Sequence, residues 1–229
     1  MYPTAINPLE MYEQADDCFN LDTVKWTAVN DGGTGTNTAN AVVGGEISIV
    51  TAGADNDYHF LKEAAAGHFK IASGKPIWFT ARVTLTQAAT NAANFVFGIS
   101  SVVDSTLMGD NGGGPPSSYS GFLFFVVDGS LYLQFETSNA TTQTTNSTLL
   151  LTTSGRSYQC GFHVDSGDGT TAIVTPWVYD ETAATRTVGT PHKVALASIA
   201  AGSVVYGVKA GSSSAETLKI DYIRAVQKR

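Results

Sequence analysis

Three acidic pairs stand close enough in sequence to work together: Asp55 with Asp57, Asp165 with Asp168, and Asp180 with Glu181. Hydrolysis of a glycosidic bond needs two carboxylates roughly 5–9.5 Å apart. On a strand that means acids at alternate positions of one face. Asp55-Asn56-Asp57 has this alternation but falls in an Ala/Gly-rich turn. Asp165 and Asp168 flank Gly167 in a hairpin signature, and Asp180 and Glu181 point to opposite faces of an extended chain. Ordinary turn and surface carboxylates account for all three pairs, so the chain is expected not to be an enzyme. Residues 165–169 (Asp-Ser-Gly-Asp-Gly) also offer oxygens at loop spacing for calcium. That ion takes six to eight such ligands, and the terminal bidentate glutamate of an EF-hand loop is missing.

The other reactive types are scattered. His59, His68, His163 and His192 form no pair with metal-ligand spacing, and no cysteine stands near them. Cys18 and Cys160 are far apart and read as buried thiols rather than a disulfide. Nucleophile elbow, phosphate loop and dinucleotide fingerprint are all missing from the sequence. Gly112-Gly113-Gly114-Pro115-Pro116 is followed by neither a helical pattern nor a lysine, so it is no phosphate cradle. No catalytic residue, cofactor or metal ligand is assigned.

Aromatic side chains remain. Trp26, Trp78, Trp177, Tyr119 and Tyr179 could stack on sugar rings. Trp78 falls on the polar face of its strand and is the strongest single candidate, with Tyr119 and Trp177 beside it. A second sheet or a neighbouring subunit would cover the same rings equally well, because large aromatics dominate cores and interfaces.

The elements that must position these residues are strands. In Ile77–Leu85 odd positions are apolar and even ones mostly polar, the period of a half-buried strand. Residues 131–136 and 218–222 alternate likewise, while 121–127 (GFLFFVV) is apolar on both faces, as in a strand covered on each side. Further strands are expected at 24–29, 46–51, 68–72, 95–100, 158–164, 172–179 and 204–209. Asp128-Gly129 between two apolar runs predicts a hairpin. Only 61–66 and 8–15 suit a short helical turn. Residues 109–120 (GDNGGGPPSSYS) and 138–147 (SNATTQTTNS) read as long loops. The pattern predicts an all-β sandwich or barrel over 18–229, preceded by an N-terminal arm over 1–17.

Composition narrows the partners. Of 229 residues, 14% are charged, with 13 Lys and Arg against 20 Asp and Glu for a net charge of −7. An acidic surface without a basic run disfavours nucleic acid and anionic membrane. The first seventeen residues lack the basic start and apolar stretch of a signal peptide, and no segment has the length of an apolar span.

Several pieces together carry a family likeness. They are Asp17-Cys18-Phe19 with Trp26, Gly44–Ile49, Gly74–Arg82 (GKPIWFTAR), Asn94–Ile99, and the closing Leu218–Arg224 with Val226-Gln227. Their order resembles the concanavalin A-like (laminin G-like) jelly-roll virion proteins of tailed phages. The resemblance implies two antiparallel sheets with the last strand paired to an early one. It also implies a capsid decoration (cement) protein made in the host cytoplasm. Such a protein would bind the major capsid protein on the virion surface as a homotrimer, through the arm (Tyr2, Pro3, Pro8) and the 109–120 loop. The alternative is a carbohydrate-binding fibre module that uses Trp78, Tyr119 and Trp177 against a host surface glycan.

Overall fold

A computed structural model describes residues 10–65, 67–88, 91–167 and 169–229. The first half of the chain supplies β1 (Met11–Asp16), β2 (Trp26–Asn30), β3 (Thr36–Asn40), β4 (Glu46–Val50), β5 (Tyr58–Glu63), β6 (Ile77–Thr86), β7 (Ala93–Ser100) and β8 (Ser120–Val126). The second half supplies β9 (Tyr132–Asn139), β10 (Gln143–Leu151), β11 (Arg156–Asp165), β12 (Thr171–Asp180), β13 (Thr185–Val188), β14 (His192–Ala195), β15 (Ser203–Ala210) and β16 (Thr217–Lys228).

These form two antiparallel sheets. The nine-stranded sheet runs β13-β12-β11-β6-β16-β4-β3, with β1 added on β16 and β14 on β12. The seven-stranded sheet runs β10-β9-β8-β7-β15-β5-β2. Period-two patterning builds the interface between them. Phe79, Val83 and Leu85 of β6 and Tyr158, Phe162 and Val164 of β11 point inward against Phe97, Phe124 and Phe135 of the other sheet. Phe162 lies between sheets, with its ring centroid 4.9 Å from Phe79 and 5.6 Å from Phe135. Trp78, Thr80 and Arg82 are left on the outside of the nine-stranded sheet.

The outer face of the seven-stranded sheet is not open. Every residue of β7, β8 and β15 is buried. A second core of Phe60, Val96, Leu123, Phe125 and Val205 is capped by Leu107, Met108 and Tyr119 from the segment between β7 and β8. Buried Lys209 of β15 anchors that segment by donating to the Met108 carbonyl at 3.1 Å and pairing with Asp110. Of the 109–120 loop, expected to reach between subunits, Tyr119 is thereby packed on its own sheet beside Leu107 and Met108, which precede it.

β16 organises the other sheet. β6 occupies one of its edges along the whole length. On the opposite edge β4 pairs with residues 217–220 and β1 with 223–228. A bulge at Asp221 separates the two partners and restores the inward direction of Ile223 and Ala225.

Several expectations change. The segment read as an arm through residue 17 enters the sheet at Met11, because β16 extends past β4 and offers it an unpaired edge. Residues 61–63, expected to be helical, complete β5 between β2 and β15. The polar tract after residue 142 is the first half of β10, an edge strand paired with β9 along its backbone, and Leu149 further along enters the core. In 68–72 only the isolated bridges of Phe69 and Ala72 form. Tyr2, Pro3, Pro8 and Asp168 lie outside the described residues. Both cysteines are buried and unpaired.

Candidate functional site

The registers of β12, β11, β6, β16 and β1 bring three rows of side chains side by side across the outer face of the nine-stranded sheet. The middle row is Trp177, Gly161, Thr80, Arg224 and Ala15. The row on one side includes His163 and Trp78, and the row on the other Tyr179, Gln159, Arg82 and Tyr222. Small residues at 161 and 80, between rows of large ones, leave a trough that runs across the strands. Four strand spacings make it roughly 19 Å long. It contains two recesses of about 460 and 550 Å3 that share Gln159 and Trp177 as lining.

Trp177 sits where it does because residue 161 has no side chain. A Cβ at 161 would stand 2.6 Å from the Trp177 ring and 2.6 Å from the Phe79 carbonyl oxygen. Arg186 of β13 holds its guanidinium 4.9 Å from the same indole, a cation–π contact that also presents hydrogen-bond donors at the rim. Trp78 stacks on His163 with centroids 5.3 Å apart. Burial holds the His163 imidazole below its usual pKa, against the opposing pull of Asp165, so the ring is neutral at pH 7. The floor polar group is Gln159, whose amide donates to Glu181 at 3.0 Å. Glu181 accepts two bonds from Arg82, which also pairs with Asp221. Arg82 holds the Glu181 carboxyl below the usual range. The trough thus offers stacking rings, one oriented amide, the Arg82-held pair Glu181 and Asp221, and Asp16 and Asp17 at the wall of the second recess.

The structure therefore brings Trp78 and Trp177 into one site and sends the other aromatic candidates elsewhere. Tyr119 is fully buried under the segment covering the seven-stranded sheet, so it cannot stack on a ligand. Trp26 is buried and donates its indole N–H to Asp16. Tyr179 lines the trough as expected of a platform residue. His163, Gln159 and Arg186 line the same recess and were not singled out from the sequence. Outward alternation of β11 and β12 was the available signal, but it does not say which strands are neighbours.

The carboxylate candidates do not converge on the trough. Asp57 is hydrogen-bonded to Asp31, which raises its pKa. Asp165 accepts from the Gly167 amide at 3.1 Å, and Asp180 caps the turn at Thr182 and Ala183. Among the described residues, no three His, Cys, Asp or Glu side chains gather as a metal site.

No family model matches the chain, and neither does any curated protein. Solved structures do. Peanut lectin aligns with a TM-score of 0.62 at 11% identity, covering 95% of this chain and 97% of the lectin. An endo-β-1,4-glucuronan lyase from the fungus Trichoderma reesei aligns at 0.61 and 11%, covering 93% and 94%. A Shewanella oneidensis MR-1 protein of unknown function aligns at 0.59 and 13%, covering 100% and 97%. The fold is a concanavalin A-like jelly roll. Lectins and glycan-degrading enzymes both occur among its structural neighbours, and identities this low carry the fold and nothing finer.

Proposed function

We propose that this jelly roll is a non-catalytic, lectin-like binding domain whose ligand site is the aromatic trough on the nine-stranded sheet. One observation carries the reading: Trp78 and Trp177, both offered by the sequence as stacking residues, line the same solvent-open recess together with Gln159, Tyr179 and Arg186. Sugar rings present flat apolar faces edged by hydroxyls, and such a site matches both features. Of the carboxylates around the trough, Glu181 and Asp221 are held by Arg82, and Asp16, which lines the second recess with Asp17, is held by Lys25 and the Trp26 indole. Similarity of fold to peanut lectin supports the same reading. A glycan array followed by tryptophan fluorescence titration tests it. Trp78→Ala and Trp177→Ala should each lower affinity at least about tenfold, a typical anchor contribution. Undiminished binding in both variants, or an array without hits at millimolar sugar, would overturn it.

A second reading uses a different part of the surface. Phe19 and Val43 are 63% and 106% exposed, and Gly45 lies so close to Phe19 that a Cβ there would be 2.7 Å from its Cα. The two turns therefore present one apolar tip, with Val42 beside it. This tip and residues 1–9 favour attachment of the domain to the major capsid protein, as a trimeric decoration protein on a phage virion, with the trough left facing outward. Phe19→Ser with Val43→Ser should abolish binding to purified capsids and leave glycan binding intact. Equal capsid binding by that variant and the parent would remove the reading.

A further inference from the structure

The chain is acidic overall, yet one recess at the end of the nine-stranded sheet collects unpaired cations. Lys70, Lys75, Lys228 and Arg229 line an open pocket of about 360 Å3, with Tyr12 and His68 at its side and no Asp or Glu in its lining. These are four of the 13 Lys and Arg in the chain. None of the four pairs with a carboxylate among the described residues, whereas Lys25, Arg82, Arg156, Lys209, Lys219 and Arg224 all do.

The arrangement is built rather than a fortuitous clustering of flexible chains. Gln227, only 7% exposed, clamps the segment that carries two of the lysines. Its side-chain oxygen accepts from the Lys70 amide at 3.1 Å, and its nitrogen donates to the carbonyls of Lys70 and Lys75. The tight turn Ser73-Gly74 brings Lys75 back to bond with the Ala72 carbonyl at 3.0 Å. Lys228 then bonds to the Pro76 carbonyl at 3.1 Å, and the Arg229 amide to the Glu10 carbonyl at 2.7 Å, which fixes the fourth side of the pocket. Behind it, His68 Nδ1 is engaged by Glu63 and by the Tyr12 hydroxyl at 2.6 Å, so the imidazole is oriented as well.

We infer that this pocket is a binding site for a tetrahedral oxyanion, a phosphate or sulfate group, either free or as a substituent on a larger ligand. Four cations without carboxylate partners, lining one open pocket, raise the local positive potential there. Ammonium and guanidinium donors around a multiply charged oxyanion form charge-assisted hydrogen bonds. The site is independent of the aromatic trough and does not rest on the glycan reading.

Titration with inorganic phosphate and inorganic sulfate, followed by amide NMR shifts, tests the inference on the whole chain. Shifts should localise to 68–76 and 227–229, saturate at millimolar anion and weaken as salt rises. Lys70→Gln with Lys75→Gln should weaken binding by about tenfold or more, since two charge-assisted contacts go. Lys193→Gln, which removes the same charge elsewhere on the surface, should leave affinity unchanged. Glucose 6-phosphate and glucose 6-sulfate then separate the sources: tighter binding than the free ions assigns the site to a substituent, equal binding to the ion itself. Trp177→Ala should spare phosphate binding while removing neutral sugar, so the two sites fail separately. Shifts spread over the surface, a Lys70/Lys75 variant that binds like the parent, or an equal loss in Lys193→Gln would overturn the site.

Discussion

The Trp177 indole lies directly above Gly161, with the position of a Cβ at 161 only 2.6 Å from the ring. Gly161 has no unusual backbone angle, so its requirement is steric: it is the gap into which the tryptophan folds. Gly161→Ala must lift the indole and press on the Phe79 carbonyl at the same time. Overpacking of this kind should destabilise the fold by about 1–3 kcal/mol and move Trp177 out of the trough. Chemical denaturation and the tryptophan emission maximum measure both effects, and an unshifted emission at parental stability would contradict the packing.

Tyr119 and Lys209 hold the cover over the seven-stranded sheet from two ends. Tyr119→Ala should cost about 3–5 kcal/mol, as for other large buried aromatics, and leave glycan affinity unchanged. Lys209→Met removes the ties to Met108 and Asp110 and should cost about 1–3 kcal/mol. Both variants should raise binding of a hydrophobic dye by exposing Phe60, Leu123 and Phe125. A Tyr119→Ala protein of parental stability that has lost glycan binding would return that residue to the ligand site.

Acid should weaken the protein through its histidines. Burial lowers the pKa of His59, His163 and His192. His59 is 5% exposed, with neither ring nitrogen bonded. The folded state then binds fewer protons than the unfolded chain, so this contribution is complete above about pH 6.5 and is lost as pH falls through the depressed folded values. Burial raises Glu136, which has the opposite sign and offsets part of the loss near the ordinary carboxylate range. Denaturation midpoints should fall between about pH 7 and pH 5, with a shallower slope in His59→Gln. A midpoint that holds constant or rises over that interval would refute the assignment.

The amino-terminal segment divides at Met11. Deleting residues 2–9 should leave the fold at parental stability and isolate any role of that stretch in capsid attachment. Deleting 2–16 should destabilise the protein, because it removes β1 and takes Asp16 from the Cys18 amide, 2.8 Å away, and from the Trp26 indole. Each buried donor left without a partner costs about 1–3 kcal/mol. Equal stability of the two truncations, read by thermal unfolding, would show that β1 contributes nothing.

β11 and β12 were expected as strands with no face assigned to Trp177, while alternation made β6 legible, and with it the outward direction of Trp78. The lateral order of strands was not, since period two says which face a residue occupies and nothing about the adjacent strand. His163 therefore read as a lone histidine until β11 was placed beside β6. Tyr119 read as exposed because it follows a glycine- and proline-rich stretch, and its burial depends on a cluster that draws Phe60 and Val205 from strands distant in sequence. The polar first half of β10 carried no apolar signal, because that stretch of edge strand is held by backbone pairing with β9, while Leu149 at its far end enters the core.

β16 has a further consequence for how the protein is made. It is the last strand in the chain, yet it lies in the interior of its sheet, with β6 on one side and β4 and β1 on the other. Until residues 217–228 emerge from the ribosome, β6, β4 and β1 each wait with an open edge and cannot pair with one another. The nine-stranded half of the molecule therefore closes only once residues 217–228 are in place, and until then those edges must be kept from finding a neighbour.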